Sequence, residues 1–408
     1  MLSIGCLVLL AATSGAQQQL GFSMQQGRKK VVMPIEVHNN LVVVPILLNG
    51  QLPLKFILDT GVRTAILTQK AYSDILNLQY TRKYSIAGPG GQKLVDAYVT
   101  NNVTIDMPGI HGEGHALLVL EEDYLELRSY LGVDVHGILG YELFSRFITY
   151  IDYENHELHL YMPGRFKAGR RFQRLPIQVL DTKPYLVTSI RQADSTELSL
   201  KFLIDTGASH SLFLEPWTDE RIRIPEKNVH SVIGRGLGGA ITGRMARILE
   251  LQLGRFALKR PTVSFPDIET YLDTLTTAGA VFRNGTIGGE VLTRFDVIFD
   301  FPGEAIYFRR NGSYKASFFY NLSGITVKAE GTRLRRYVIA EIRANSAGEQ
   351  AGLQVGDAVL SINGVRTTEL NLSTLQTNLN SKPGKRIRIE IERNAERIKK
   401  EFRLSDQI

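Results

Sequence analysis

Two copies of an Asp-Thr-Gly triplet are the residues of this chain with the clearest capacity for chemistry. The first copy occupies residues 59–61 and the second occupies residues 205–207. If folding brings Asp59 and Asp205 together, the two carboxyl groups cannot both ionise cheaply, so the pair retains one proton. The ionised member can then take a proton from water while the protonated member protonates or polarises a carbonyl oxygen. Such a pair could hydrolyse an amide bond without a metal or a covalent intermediate.

The residues beside each aspartate suit this arrangement. The hydroxyl groups of Thr60 and Thr206 can hydrogen-bond across the pair, and Gly61 and Gly207 allow backbone to approach closely in a tight turn. A single Asp-Thr-Gly triplet is commonly only a turn. The prediction of catalysis therefore depends on the second copy and on what surrounds both.

Each triplet belongs to a longer segment that occurs twice. An apolar run precedes each aspartate, at residues 56–58 and 202–204. Glycine-rich stretches follow at residues 88–91 and 234–239, and Ile-Leu-Gly at 138–140 corresponds to Ile-Gly-Gly at 287–289. Three markers in the same order and at nearly the same spacing indicate an internal repeat, and hence two similar structural units.

The pattern inside each half is typical of β-structure. An apolar run at residues 42–48 enters Asn49-Gly50, which is a hairpin signal, and a second apolar run then leads to Asp59. Each half also ends in a pair of apolar runs joined by a short turn. We therefore predict a mainly β fold with two homologous β-barrel lobes, at residues 31–163 and 170–312, joined by a polar, basic connector at residues 165–174.

A third unit is predicted at residues 320–405. A strand-like run at residues 337–342 is followed by Ser346-Ala347-Gly348 and Gly356-Asp357, then by another apolar run and the turn Asn363-Gly364. This mixture of short strands and helical segments indicates a small, separate α+β domain.

Residues 31–310 resemble a retropepsin-like or pepsin-like aspartic peptidase with both lobes in one polypeptide. The run Asp205-Thr206-Gly207-Ala208-Ser209 carries the resemblance most closely. It implies that Asp59 and Asp205 are the catalytic dyad and that Thr60 and Thr206 hold the two loops together. It also implies two flaps over the substrate, which favours the retropepsin-like form. The residues expected at the substrate or in the flaps are Val62, Arg63, Gly88, Gly90, Gly91, Ala208, Ser209, His210, Gly236, Gly238 and Gly239.

The first lobe departs from the family pattern after its glycine. Val62 and Arg63 stand where small or acidic residues are more usual. Arg63 could lower the pKa of a nearby carboxyl group or bind an acidic group of the substrate, or it could be an exposed turn residue. His210 is interpreted as a subsite or surface residue and not as a base.

The third unit resembles a bacterial PDZ domain in its circularly permuted form, and the match is carried by residues 346–357 with Asn363-Gly364. In such domains a peptide adds to a sheet edge while backbone amides capture its terminal carboxylate. The resemblance places that loop at Leu322, Ser323, Gly324 and Ile325, and it implies a C-terminal peptide as a ligand.

Composition bounds the remaining possibilities. The chain has 408 residues, 43% of them hydrophobic, and a net charge of +7. This mild basic excess could favour acidic partners or anionic surfaces, but it is more typical of a solvated charged surface. No nucleic-acid motif is present, the eight histidines show no metal-ligand spacing, and no cofactor is expected. Past residue 30 no run is long and apolar enough to span a membrane.

The first residues predict export. The apolar run at residues 7–12 is followed by Ser14-Gly15-Ala16, which suits signal-peptide cleavage, so we expect a signal peptide at 1–16 and a polar linker at 17–30. Cys6 is the only cysteine and lies at the front of the apolar run, which makes a lipoprotein the lesser alternative. A chain without disulfides fits a bacterial periplasmic or envelope-associated protein.

Two functions remain open at this point. The first is an exported aspartic endopeptidase that cuts peptides or proteins and is active as a monomer, since each chain carries both lobes. The second is a peptide-binding or scaffold protein with the same fold and little or no catalysis. The presence of both aspartates favours the first.

Overall fold

The computed structural model describes residues 20–86, 88–90, 94–164, 166–271 and 281–408. The predicted signal peptide, including Cys6, lies outside the described residues, as do Arg165 and Gly91. Within the described residues the fold is mainly β, as predicted, with two barrel-like lobes and a small C-terminal unit. No helix in these ranges is long and apolar enough to cross a bilayer.

The first lobe consists of short strands and three short helices. Its strands are β1 (Gly21–Met24), β2 (Lys30–Pro34), β3 (Glu36–His38), β4 (Leu41–Leu48), β5 (Leu52–Leu58), β6 (Ala65–Leu67), β7 (Arg82–Ile86), β8 (Val95–Val103), β9 (Ile105–Asp106), β10 (Ile110–Glu113), β11 (His115–Leu120), β12 (Gly137–Leu139), β13 (Ile148–Asp152) and β14 (Glu157–Tyr161). Its helices are α1 (Lys70–Ile75), α2 (Leu127–Leu131) and α3 (Tyr141–Arg146).

The second lobe repeats this plan. Its strands are β15 (Gln173–Pro176), β16 (Gln178–Leu180), β17 (Lys183–Arg191), β18 (Glu197–Ile204), β19 (Leu212–Leu214), β20 (Val229–Gly236), β21 (Gly239–Arg247), β22 (Glu250–Leu253), β23 (Phe256–Lys259), β24 (Thr262–Pro266), β25 (Gly285–Ile287), β26 (Phe295–Asp300) and β27 (Ala305–Arg310). Its helices are α4 (Ile268–Tyr271) and α5 (Gly289–Leu292).

The internal repeat is visible in the order of the strands. The main sheet of the first lobe runs β7-β8-β11-β6-β12-β5-β4-β3, with β9 also paired to β4. That of the second lobe runs β20-β21-β24-β19-β25-β18-β17-β22-β23, with β16 also paired to β17. The first seven strands correspond position by position, and β3 corresponds to β16, whereas β23 extends the second sheet alone. The predicted hairpin at Asn49-Gly50 joins β4 to β5, and the two residues have φ of 50° and 64°, as a type I′ turn requires.

A six-stranded sheet joins the two lobes, in the order β15-β27-β26-β13-β14-β2. The two hairpins predicted at the ends of the halves, β13–β14 and β26–β27, lie side by side in it because β13 pairs with β26. One continuous cluster of buried apolar residues extends through both lobes. The lobes therefore form one structural body with the cleft between them.

Residues 21–24 belong to the first lobe, whereas the sequence predicted a polar linker over 17–30. They form β1, which pairs antiparallel with β10. Phe22 is buried and its ring lies 4.2 Å from that of His115. Phe22 and the half-buried Met24 pack on the core and anchor the strand. The prediction missed it because this short stretch lies between the polar residues 17–19 and 25–30.

The C-terminal unit has a core of its own. It contains β28 (Ile325–Glu330), β29 (Arg336–Ile342), β30 (Ala358–Ile362), β31 (Val365–Arg366), β32 (Arg386–Arg393), β33 (Glu396–Arg403), α6 (Ala347–Gln350) and α7 (Leu372–Leu379). The sheet order is β28-β29-β30-β32-β33, with β31 paired to β30, so β28 is an edge strand. Helix α7 buries Leu372, Leu375 and Leu379, and Asn371 caps it by accepting a hydrogen bond from Thr374 N at 2.8 Å.

Candidate active site

Each aspartate lies directly after a buried strand and is fixed to a neighbouring strand by its backbone. Asp59 follows β5 and its N–H donates to Leu139 O of β12 at 2.8 Å, while Asp205 follows β18 and its N–H donates to Ile287 O of β25 at 2.9 Å. Strands β12 and β25 run parallel to β5 and β18 respectively. These two strands contain residues of the Ile-Leu-Gly and Ile-Gly-Gly segments that mark the internal repeat.

The first glycine of each segment, Gly140 or Gly288, is required by close packing. A Cβ on Gly140 would lie 2.1 Å from Val62 O, and a Cβ on Gly288 would lie 2.2 Å from His210 O. No side chain fits at either position unless the backbone of the catalytic loop moves. The glycines thus explain how the sequence holds both loops against the strands behind them.

The two threonines join the loops through four reciprocal hydrogen bonds. Thr60 N donates to Thr206 Oγ1 at 3.0 Å and Thr206 N donates to Thr60 Oγ1 at 3.1 Å. Each hydroxyl in turn donates to the opposite strand, to Ile204 O at 2.7 Å and to Leu58 O at 2.8 Å. Both threonines are fully buried. The network fixes the separation of the two aspartates.

Replacing Thr206 with valine is expected to destabilise the two-lobe body by about 2–4 kcal/mol. Valine keeps the shape of the side chain but leaves Thr60 N and Leu58 O without that hydroxyl, and a buried unsatisfied polar group costs about 1–3 kcal/mol. Urea unfolding followed by the fluorescence of Trp217, the single tryptophan, reports on the second lobe. The exposed Thr332→Val change is the control, with an expected effect within about 0.5 kcal/mol. Equal unfolding midpoints for the two variants would contradict the assignment of the network.

The carboxyl groups of Asp59 and Asp205 hydrogen-bond each other at the meeting point of the two loops. Gly61 N donates to Asp59 Oδ1 at 2.6 Å and Gly207 N donates to Asp205 Oδ1 at 2.8 Å. Burial and the adjacent charge of Asp205 hold the pKa of Asp59 well above its usual range. A carboxyl group in this setting retains its proton at a pH where an exposed aspartate would lose it.

The pKa of Asp205 is also raised, because burial outweighs the groups that favour its ionised form. Those groups are the Gly207 N–H, the hydrogen bond from Asp59, and the positive charges of Arg283 and Lys183. Both carboxyl groups therefore hold a proton more tightly than an exposed aspartate does, and the pair shares one proton. One base and one acid result from two identical side chains.

Two hairpins close over the dyad, β7–β8 from the first lobe and β20–β21 from the second. Their tips touch. Gly238 N donates to Pro89 O at 2.9 Å, and a Cβ on Gly90 would lie 2.1 Å from Gly239 O. Gly90 and Gly239 have φ of 110° and 124°, values at which a side chain is strained. The glycine-rich stretches thus let the two tips cross in direct backbone contact.

A cavity of about 1700 Å³ lies under these hairpins, with Asp59 and Asp205 in its wall. Leu237, at the tip of the second hairpin, reaches across to an apolar cluster of the first lobe that includes Ile66 and Ile138. The resemblance implied two flaps over the substrate, and two hairpins lie there in the structure. The contact between their tips was not predicted.

Comparison with known families agrees with this geometry. The aspartyl protease family model matches residues 44–143 and again residues 192–291, and a PDZ domain model matches residues 338–393. This chain contains two aspartyl protease domains and one PDZ domain. No curated protein matches the chain. The two protease matches coincide with the two lobes and include one member of the dyad each.

The loop residues around the dyad of the protease domains have different environments. Ala208 O and Ser209 O accept hydrogen bonds from Gly289 N at 2.6 Å and Asn40 Nδ2 at 2.9 Å, and both residues line the cavity. Val62 packs in the apolar cluster beneath Leu237. Arg63 is 72% exposed at its side chain and lies 3.9 Å from Asp181, so it is a surface residue of the turn.

His210 lies inside the second protease domain, in the wall of the cavity. Its ring stacks on Phe213 at 3.7 Å, and burial lowers the pKa of His210 to about 3. The imidazole is therefore neutral across the physiological range. Together with Ile241 it forms part of the cavity wall under the second hairpin.

The PDZ domain packs against the second hairpin and against α2. Arg235 of β20 donates to Glu341 of β29 at 2.7 Å, and its guanidinium lies 4.5 Å from the ring centroid of Tyr130. Val229 and Met245, at the base of the same hairpin, pack on the PDZ core. The position of the second hairpin is thus coupled to the PDZ domain.

The predicted carboxylate loop precedes the edge strand β28. Gly324, with φ of 71°, lines the cavity, whereas Leu322, Ser323 and Ile325 are buried beneath it. Arg343 is only 6% exposed, its N–H donates to Gly324 O at 2.8 Å, and it also lines the cavity. The cavity that contains the dyad therefore extends to this loop of the PDZ domain.

The sequence reasoning missed Lys183 and Arg283. It sought a cation near the dyad at Arg63, because that residue follows the first triplet. A comparison of the hairpins would have found Lys183, which begins β17 after the turn at Asp181-Thr182, just as Leu41 begins β4 after Asn39-Asn40.

Proposed function

We propose that this protein is an aspartic endopeptidase that hydrolyses internal peptide bonds with a water activated by Asp59 and Asp205. The observation that carries the proposal is the contact between two carboxyl groups of raised pKa in a cavity under two crossed hairpins. A buried pair of acids is costly for the fold, and shifted pKa values of this kind cluster at catalytic sites.

In this proposal Asp205 is the base and Asp59 is the acid. Asp205, whose ionised form is favoured by Lys183 and Arg283, removes a proton from a water held between the carboxyl groups. The water oxygen bonds to the scissile carbonyl carbon while Asp59 gives its proton to the carbonyl oxygen, producing a gem-diol. The C–N bond then breaks as the nitrogen takes the proton from Asp205 and a gem-diol hydroxyl returns a proton to Asp59. The products are one carboxylic acid and one amine, and no covalent enzyme intermediate forms.

The pH dependence of kcat/KM is expected to be bell-shaped, with activity persisting well above pH 4. Below the lower apparent pKa of the pair, a second proton binds and the base is lost. Above the upper one, Asp59 loses its proton and the acid is lost, and the raised pKa of Asp59 moves this limb above the usual carboxyl range of about 4. Initial rates on one peptide between pH 3 and pH 9 measure both limbs. A single rise to a plateau at high pH would contradict a pair that shares one proton.

Incubation of the purified protein with a diverse peptide mixture, followed by mass spectrometry, tests the proposed activity. Cleavage at internal bonds is expected, with products that account for the addition of one water. Peptides that co-elute with the protein and stay intact at every pH would instead support the second candidate, a peptide-binding protein on the same fold.

The remaining parts of the proposal concern the PDZ domain, the oligomeric state and the location of the protein. The PDZ domain binds C-terminal peptides at Gly324, where Arg343 adds a positive charge.

The catalytic unit is a monomer, because both lobes belong to one chain, and sedimentation of the active species checks this. Export to the bacterial periplasm or envelope follows from the apolar run at residues 7–12, and the N-terminal sequence of protein from that compartment would show cleavage after residue 16.

A further inference from the structure

The two ends of the catalytic cavity differ at positions that the internal repeat makes equivalent. In the first lobe the β3–β4 turn leads to Leu41, and in the second lobe the β16–β17 turn leads to Lys183. Both turns have two consecutive residues with positive φ, and Leu41 and Lys183 both line the cavity. An aliphatic residue on one side of the dyad is therefore replaced by a cation on the other.

The surroundings of Leu41 are apolar. It packs in a cluster with Ile57, Leu131 and Val135, and Leu127 of helix α2 lies against the same cluster. Leu127 and Leu131 also line the cavity. This side of the cavity suits an aliphatic or aromatic side chain of a peptide.

The surroundings of Lys183 are charged. Arg283 lines the same side and its Nε donates to the fully buried Glu215 at 3.0 Å, so those two charges offset each other. Asp181 and Arg63 form a second, looser pair at 3.9 Å on the exposed turn. Among the described residues no hydrogen bond or ion pair holds the Lys183 ammonium, and Tyr185 is the neutral polar neighbour on the same strand. One positive charge is thus left facing the cavity.

The charge of Lys183 reaches the reacting groups. Lys183 lines the same cavity as Asp59 and Asp205, and its positive charge favours the ionised form of both. This charge opposes the larger effect of burial, which raises both pKa values. A half-buried cation in a cavity with a low effective dielectric constant attracts an anion more strongly than a surface lysine does. A peptide bound across the dyad would place residues next to its scissile bond close to Lys183.

We propose that Lys183 forms a carboxylate-binding subsite that selects peptides with an acidic group next to the scissile bond, on the side facing the second lobe. The inference deepens the proposed function and rests on it. The preferred substrates then carry an apolar residue on the Leu41 side and a carboxylate on the Lys183 side.

The carboxylate can come from an Asp or Glu side chain or from the C-terminus of a short peptide, and matched peptides distinguish these sources. One peptide found to be cleaved is resynthesised with Asp or Asn at each position within three residues of the cut. A second pair ends at the same place with a free acid or an amide. The ratio of kcat/KM within each pair isolates the charge, because size and hydrogen-bonding capacity are closely matched.

The unmodified protein is expected to prefer the charged member of at least one pair by about tenfold, a factor that corresponds to one well-placed ion pair. Lys183→Met should bring that ratio close to one, and Lys183→Glu should invert it in favour of the uncharged member of the pair. Lys167→Met, at an exposed residue of the connector, should leave the ratio unchanged. The lower limb of the pH profile should also move to higher pH in Lys183→Met, because Asp205 loses a favourable charge.

Equal kcat/KM within every pair for the unmodified protein would overturn the subsite while leaving the peptidase intact. If no peptide is cleaved, the proposed function fails and the subsite is tested by binding alone. Fluorescence anisotropy of labelled Asp and Asn peptides then decides: tighter binding of the Asp peptide, lost in Lys183→Met, supports the subsite, and equal affinities overturn it.

Discussion

Asparagine at position 205 is expected to reduce kcat/KM for peptide cleavage by about 10³-fold or more. The amide cannot accept a proton from water, and general acid–base catalysis by a positioned side chain contributes about 10²–10⁴-fold. Loss of the base also removes the partner that makes Asp59 the acid, because the raised pKa of Asp59 depends in part on the charge of Asp205. Initial rates on a peptide identified by mass spectrometry measure the effect.

Asp59→Asn should lose a similar factor, because the amide has no proton of suitable acidity to give to the carbonyl oxygen. Asp194→Asn, at an exposed residue of the β17–β18 turn, is the matched control and should retain full activity. Circular dichroism of all three variants checks that the fold is kept. Cleavage that persists in both dyad variants at rates near that of the unmodified protein would rule out the proposed mechanism.

Alanine at position 207 is expected to reduce kcat by about 10²-fold while leaving both carboxyl groups in place. A Cβ on Gly207 would lie 2.2 Å from both Cγ and Oδ2 of Asp59, so the carboxyl group of Asp59 must leave its position beside Gly207. Displacements of about 1 Å in a catalytic group can cost about 10²-fold in rate. The rate of single-turnover cleavage at saturating peptide measures this step without contributions from binding.

The equivalent change in the first lobe provides an unusually close control. A Cβ on Gly61 would lie 3.0 Å from Asp59 Oδ1 and 3.4 Å from Asp205 Oδ2, contacts that small shifts can relieve. Gly61→Ala should therefore lose less than about tenfold, although it is the same substitution at the position related by the internal repeat. Equal losses in the two variants would mean that the carboxyl groups are placed differently from the geometry described above.

The parts of the fold that local sequence patterns control could be predicted. The repeated triplets, the apolar strands before them and the Asn49-Gly50 turn each depend on neighbouring residues, and together they indicated two β lobes and a third domain. The dyad and its threonines could also be predicted, because residues at equivalent positions of a repeat occupy equivalent positions in the two lobes. Residues 21–24 were missed because β1 is a four-residue strand with two core-facing apolar residues, Phe22 and Met24, and its partner β10 lies about 90 positions away.

The parts of the site that depend on packing between units could not be predicted. The contact of Gly238 with Pro89 joins the tips of two hairpins. Their sequences indicated two flaps but no contact between them. The contact of Arg235 with Glu341 depends on how the PDZ domain docks, and neither residue belongs to a motif. Lys183 was missed for a related reason. The internal repeat shows what the two lobes share, whereas Lys183 stands where the first lobe has Leu41.

The central claim is that the two aspartates of one chain form a single catalytic pair, and a mixing experiment tests it most directly. Asp59→Asn and Asp205→Asn are purified separately and combined in equal amounts, and their cleavage of one peptide is compared with that of the unmodified protein at the same total concentration. The account predicts that the unmodified protein cleaves and that the mixture stays as inactive as either variant alone. Recovery of about a quarter or more of the unmodified rate in the mixture would show that the pair assembles between chains, and would contradict it.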